Sequence, residues 1–260
     1  MNLPEIPLIN RARGFHLYDD TGRRYLDFFQ DNGRAVLGHR PAKLSVHLKN
    51  TLSKGLLAET PSKYTYRCVR ALRLLLPGYP HVRIYEHRLK AEKVLAEAGV
   101  IEPGSPVPDI LFRDGLKTAA VLVWRPFLEG ERTLPGILLP LLPFPGGFGP
   151  AVLCFRDDPG GDFPPDDTCS PFLLAGLTRI VYDLIREIKE RHRKEWKHFD
   201  KQDWERRGPY LLPGLKGEAY SSLFQKCLKG GILLNPSPDG PSIIPAEYSP
   251  GELGVFVRRC

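Results

Sequence analysis

Near the start of the chain, two short runs alternate apolar and polar residues around a turn. In "GFHLYDDTGRRYLDF", residues 15–18 and 24–29 carry the alternation, and "DDTG" between them supplies turn residues, with Gly22 free to take a positive φ. The pattern predicts a β-hairpin, in which Phe15, Leu17, Tyr25 and Asp27 fit one buried and one exposed face. The period then lengthens. Leu44, Leu48, Leu52 and Leu56 recur at helical spacing behind Pro41, which suits a first helical turn. A second helix is expected over 66–76, then a strand at "HVRIY" and a helix in "RLKAEKVLAEAG" that stops at Gly99.

The middle of the chain changes character. "TAAVLVW" (118–124) and "AVLCF" (151–155) are continuous apolar runs of the kind that form buried strands. The clearest helix begins near Pro171, where Leu177, Ile180, Val181, Leu184, Ile185 and Ile188 make one stripe. Beyond Glu190 charge takes over, and the helix is expected to run on into solvent to about Trp204. "YSSLFQKCLKGG" predicts an amphipathic helix ending at Gly230 or Gly231, "GILLNP" a strand, and "SPGELGVFV" a short capped helix. This order of elements predicts an α/β or α+β protein.

Composition narrows the function classes. The 260 residues suffice for one large domain or two small ones, and the 26 prolines are about twice the usual share. Net charge is +7, but basic and acidic residues interleave, and no zinc-finger spacing or aromatic-basic RNA motif occurs. That argues against nucleic acid as a partner. The five cysteines are odd in number and contain no C-x-x-C pair, which argues against a disulfide framework and a zinc site. The opening "MNLPEIPLIN" does not read as a secretion signal. The longest apolar stretch, "GILLPLLPFPGGF", is too short and proline-broken to span a bilayer. A cytoplasmic protein without a membrane partner is expected.

Motifs that carry chemistry are few. "PGGFGP" lacks the spacing of a phosphate-binding P-loop. Asp157, Asp158, Asp162, Asp166 and Asp167 lack EF-hand spacing and read as a solvated loop, so no metal is expected. His87, His192 and His198 are scattered, and no serine or cysteine sits in a nucleophile-elbow context.

Several stretches, taken in order, resemble the class III aminotransferases, in particular the glutamate-1-semialdehyde aminomutase-like branch of the fold-type I pyridoxal-phosphate enzymes. "LYDDTGRRYLDFFQDNGRAVLGH" is similar to their N-terminal hairpin, with an L-Y-D strand, a D-x-x-G turn, Y-L-D-F and a Gly-His before a helix. "YPHVRIYEHRLKAEKVLAEAG" resembles the strand and helix that open their cofactor domain. "GGFGPAVLCF", "PFLLAGLTRIVYDLIREI" and "FQKCLKGGILLNPSPDGPSIIPAEYSPGEL" resemble later segments. The resemblance implies an α/β fold: a reduced fold-type I core, with a small lobe formed by the N-terminal hairpin and the C-terminal region. It implies boundaries near 1–65, 66–208 and 209–260, the middle part being a truncated cofactor domain.

It also implies a cofactor site that this chain departs from. The family's Schiff-base lysine precedes a glycine-rich turn; that position falls at Leu141, which cannot form an imine. Lys117, behind "PDI", is the alternative, but no glycines follow it. The D-E-V strand that supplies an acid to the pyridine nitrogen has no counterpart here. The phosphate cup reads "YEHRLKA", where Glu86 would repel a phosphate and Arg88 would partly offset it. Thr168 stands near a threonine that reaches the phosphate across the dimer, though its spacing also suits a helix cap. Two functions stay open. One is a relative that has lost catalysis, holds no cofactor and acts as a binding or partner protein. The other is a divergent pyridoxal-phosphate-dependent transaminase or aminomutase acting on a small amino acid. The first is expected, because lysine, acid and phosphate cup are missing together. A homodimer follows from the resemblance; the shortened middle leaves a monomer open.

Overall fold

The structure is a computed structural model that describes residues 6–39, 41, 43–112, 119–128, 134–147, 149–191, 199 and 204–253. In chain order its elements are β1 (Ile9–Arg13), β2 (His16–Asp19), β3 (Arg24–Asp27), a 3-10 turn (Gln30–Gly33), α1 (Leu44–Leu52), α2 (Lys63–Leu75), β4 (His81–Tyr85) and α3 (Arg88–Glu97). There follow β5 (Val121–Trp124), β6 (Ile137–Pro140), β7 (Ala151–Phe155), α4 (Pro171–Arg191), β8 (Trp204–Arg207), β9 (Tyr210–Pro213), α5 (Gly217–Lys229), β10 (Ile232–Leu233) and β11 (Ser242–Ile243). The chain divides into two compact units. One comprises residues 1–41, 127–129 and 189–260; the other comprises 42–126 and 130–188.

The first unit joins the two ends of the chain. Its main sheet runs β1-β2-β3-β10, and β10 pairs with β3 in parallel, Ile232 opposite Leu26. The hairpin and the C-terminal region thus form one lobe. Asp19 builds the hairpin turn: its carboxylate accepts from the amides of Thr21 and Arg23 and from the hydroxyls of Thr21 and Tyr25. Gly22 sits there at φ +84°. Asp27 is buried and accepts from the Phe29 and Gln30 amides and, at 2.7 Å, pairs with His39 Nε2. Residues 30–32 all have positive φ, a conformation that disfavours side chains. Side-chain bonds hold that turn: Gln30 Nε2 donates to the Ile243 carbonyl and Asn235 Nδ2 to Asn32 Oδ1. Arg191 is buried against the rings of Phe15 and Phe127 and donates to the Val36 carbonyl.

Three expectations for this unit need correction. Tyr25, Leu26 and Asp27 are all buried, so beyond the exposed Arg24 the strand β3 does not alternate between a buried and an exposed face. Trp204 does not end a solvated helix. It is buried and opens β8, which pairs with β9 in a second sheet ordered β11-β9-β8. Cys227, buried in α5, is disulfide-bonded, against the expectation from cysteine spacing.

The second unit carries a mixed sheet ordered β4-β7-β6-β5, with β5 and β6 parallel and β7 antiparallel to both neighbours. The side chains of α3, β5, β6 and β7 close one apolar cluster around Tyr85, Leu95, Val121, Leu139 and Leu153. The helices follow their expected signals. Ser62 caps α2, Pro171 opens α4, and Leu177, Ile180, Val181 and Leu184 are buried along it. The exception is α1, which stops at Leu52, itself exposed, ahead of Gly55 at φ +71°. Leu56 therefore belongs to no helix, and Thr51 is the buried residue of α1. Among the described residues no helix is long and apolar enough to cross a membrane.

Candidate functional site

The position that would hold a cofactor's phosphate lies at the turn from β4 into α3. A strand that feeds a helix leaves the helix's first amides pointing outward, ready for an anion. Here two of the turn's amides, those of Glu86 and Lys90, are taken by the protein's own side chains. His87 is the N-cap residue, and its Nδ1 accepts from the Lys90 amide at 3.1 Å. Asp167 Oδ2 accepts from the Glu86 amide at 3.1 Å, and Lys90 Nζ lies 3.8 Å from its other oxygen. One residue back, Asp166 Oδ1 accepts from the Ile84 amide at 2.6 Å, and the Asp167 amide donates to the Ile84 carbonyl. The segment expected to be a solvated acidic loop is in fact laced to the end of β4. Arg88 turns away to Glu92, 2.7 Å off along α3, an ordinary i, i+4 pair. Thr168 is exposed.

Leu141 directly follows β6, and its amide continues the ladder to the Trp124 carbonyl at 2.8 Å. Residues two apart on a strand share a face. Leu141 accordingly joins Leu139 in the apolar cluster beneath α3, 8 % exposed. The glycine-rich turn beyond it closes on itself. The Gly149 amide donates to the Pro145 carbonyl, and a Cβ at Gly149 would stand 2.5 Å from both that oxygen and the Phe144 ring. Lys117 lies outside the described residues.

Beside β6, strand β5 ends on Trp124, and Arg125 directly follows it. Arg125 is buried and bound to Asp109, with Nε 3.0 and 2.8 Å from the two carboxylate oxygens and the second nitrogen at 2.7 Å. Asp109 Oδ1 also accepts from the Leu111 amide. Both oxygens are engaged, so the acid nearest this strand end is not open to a ligand nitrogen. Sequence reasoning noted Asp109 in "PDI" but not its partner; a basic residue directly after an apolar strand was the available signal.

Tested against a pyridoxal-phosphate-like group, these residues do not fit. Among the described residues, Leu141 offers no amine, Asp109 is paired with Arg125, and the Glu86 and Lys90 amides at the β4–α3 turn already have side-chain acceptors. Among the described residues no group of three or more His, Cys, Asp or Glu could hold a metal ion.

Comparison with known proteins places this geometry in a fold. No family model matches the chain. An uncharacterized protein of Treponema pallidum is 25 % identical over 298 residues, covering 95 % of this chain and 92 % of its own. An uncharacterized protein of Borreliella burgdorferi is 26 % identical over 258 residues, covering 99 % and 91 %. Glutamate-1-semialdehyde 2,1-aminomutase of Thermus thermophilus is 30 % identical over 77 residues, 30 % of this chain and 18 % of the enzyme. Among solved structures, ornithine δ-aminotransferase of Plasmodium falciparum superposes with a TM-score of 0.69 at 14 % identity, covering 97 % of this chain and 92 % of its own. Ornithine aminotransferase of Plasmodium yoelii gives 0.67 at 14 %, covering 98 % and 93 %. The chain has the class III aminotransferase fold in shortened form.

Proposed function

We propose that this chain is an aminotransferase-fold protein that has lost pyridoxal-phosphate catalysis and works by binding. The observation that carries the proposal is Asp167, whose carboxylate receives the Glu86 amide at the β4–α3 turn. A phosphate entering there would have to displace a carboxylate and sit beside Glu86, an acid next to an acid. The desolvation and repulsion would fall on the incoming dianion. Leu141 in the apolar cluster and Asp109 bound to Arg125 support the same reading at two further positions.

Absorbance spectroscopy with added pyridoxal phosphate tests it. The expected outcome is a spectrum equal to the sum of protein and free aldehyde, with no lysine modified after borohydride reduction. An imine band that borohydride fixes to one lysine, with turnover of an amino donor, would overturn the proposal. Such a lysine at position 117 would establish the divergent-enzyme reading in its place. The parent fold also supports a homodimer, which light scattering across a concentration series tests; a strict monomer at every concentration would exclude it.

A further inference from the structure

In the second unit, a groove of about 490 Å³ lies over α1, α2 and α4. Its charge is one-sided. Lys63, Tyr66, Arg67 and Arg70 fall at i, i+3, i+4 and i+7 of α2, so all four stand on one helix face. His47 of α1 and Tyr182 of α4 complete the rim. Tyr66 is 69 % exposed and Tyr182 40 %. Arg179 also lines the groove, but Asp183 on the next turn of α4 neutralises it. Lys63 and Arg70 have no acidic partner among the described residues, and Arg67 only stacks on the Tyr64 ring at 5.7 Å.

Three unpaired cations at this spacing repel one another along the helix. The Tyr64 ring offsets it only at Arg67, and no acid lines the groove among the described residues. Two solvent-facing tyrosine rings beside unpaired guanidinium groups form a platform for flat rings next to a seat for phosphate oxygens. The groove's size also suits a compact organic ligand. No residue of the β4–α3 turn, β6 or the glycine-rich turn lines it, so it is separate from the site discussed above.

We propose that this groove binds a nucleotide: phosphates on Arg67, Arg70 and Lys63, and the base against Tyr66 or Tyr182. The same chemistry is offered by a free mononucleotide and by a nucleotide within a single strand. The experiment has an arm for each. Fluorescence anisotropy is read with a labelled adenosine triphosphate and, separately, with a labelled eight-nucleotide single-stranded RNA.

The expected result is saturable binding of at least one probe that weakens with salt. For the RNA the logarithmic slope is about −2, from three phosphate contacts at about −0.7 each. Arg67→Glu with Arg70→Glu should abolish binding. Tyr66→Ala or Tyr182→Ala, whichever ring carries the base, should weaken it roughly fivefold or more, the lower end of what one lost stacking platform costs. Binding of the mononucleotide alone assigns the free ligand; binding of the RNA alone assigns the strand. The substituted positions are exposed, so the thermal midpoint should hold. If the charge reversal unfolds the protein, Arg70→Gln with Lys63→Gln gives the same comparison in neutral form. The proposal is overturned if neither probe binds, or if the charge variants bind as well as the parent. It is also overturned if tripolyphosphate, which has no ring, competes as well as the nucleotide and neither Tyr66→Ala nor Tyr182→Ala has an effect. Concentration-dependent self-association lost in Arg67→Glu would overturn it too, by making the groove a contact between copies.

Discussion

At the scale of single residues, Leu141 and the buried thiols make the sharpest predictions. Leu141 contributes about 1.5–3 kcal/mol by its burial. Leu141→Lys should lose at least that much, because an ammonium would enter the apolar cluster beneath α3. It should also fail to bind pyridoxal phosphate, since Asp167 and the Asp109–Arg125 pair are untouched. Chemical denaturation and cofactor titration of both proteins check the two outcomes. Cys68, Cys154 and Cys169 are buried. Burial pushes the Cys68 and Cys169 thiols up to about 12 and raises Cys154 as well. A thiol held protonated in the folded state binds its proton more tightly there than in the unfolded chain, where it titrates near 8.5. Between those values the unfolded state holds fewer protons, so stability falls as pH rises from about 8.5 toward 12 and is unaffected by these groups below that window. Denaturant midpoints should hold from pH 7 to about 8.5 and decline from there to about pH 10. A thiol reagent at neutral pH should leave these three unmodified until the protein unfolds.

At the scale of elements, the residues that carry the family resemblance turn out to be fasteners. Asp19 ties the hairpin turn, and Asp27 with His39 ties the hairpin to the segment after it. The Asp109–Arg125 pair does similar work in the second unit, where residue 109 bridges to Val123 in parallel. Breaking such a pair strands a charge, so Arg125→Leu should cost about 3–5 kcal/mol. The paired variant, with Asp109→Leu added, should recover much of it; a double-mutant cycle in urea measures the difference. Gly208 makes a separate element-level test. It sits at φ +57°, and a Cβ there would stand 2.4 Å from the Phe127 carbonyl. Gly208→Ala should lower the melting temperature by several degrees, for ~1–3 kcal/mol of strain.

Local pattern made the hairpin, α3, β7 and α4 legible, because each has a period and a stop signal of its own. It missed β8 and β9, since "WERR" has the composition of an exposed helix and becomes a strand only by pairing with "YLLP". It missed β6 because "ILLP" is apolar without a period, and parallel pairing to β5 decides it. At the site, the departures from the family pattern were legible as missing residue types. Their replacements were not. Asp167 is eighty residues from the turn it caps, and no spacing rule connects the two.

At the scale of the molecule, the first unit is assembled from opposite ends of the chain. Leu26 faces Ile232 across the β3–β10 pair, and Gln30 bonds the Ile243 carbonyl. Truncation after Lys229 should therefore expose the N-terminal strands and not merely shorten the protein. Limited proteolysis should then cut within the first forty residues, while fragments spanning 42–126 persist if the second unit holds by itself.

The same closure sets a schedule during synthesis. Residues through 188 complete the second unit, which can begin to fold while the rest of the first unit, from residue 189 on, is still being added. Strands β1–β3 emerge before the second unit but must wait for a partner made about two hundred residues later. At ~5–20 residues per second on the ribosome, that wait is on the order of ten to forty seconds. Throughout it, Phe15, Leu17, Leu26 and Phe28, all buried in the finished protein, lack their final cover. Strands β1–β3 are thus exposed to chaperone capture or misassembly until β10 is made, although in the folded protein side-chain and strand pairing fasten them.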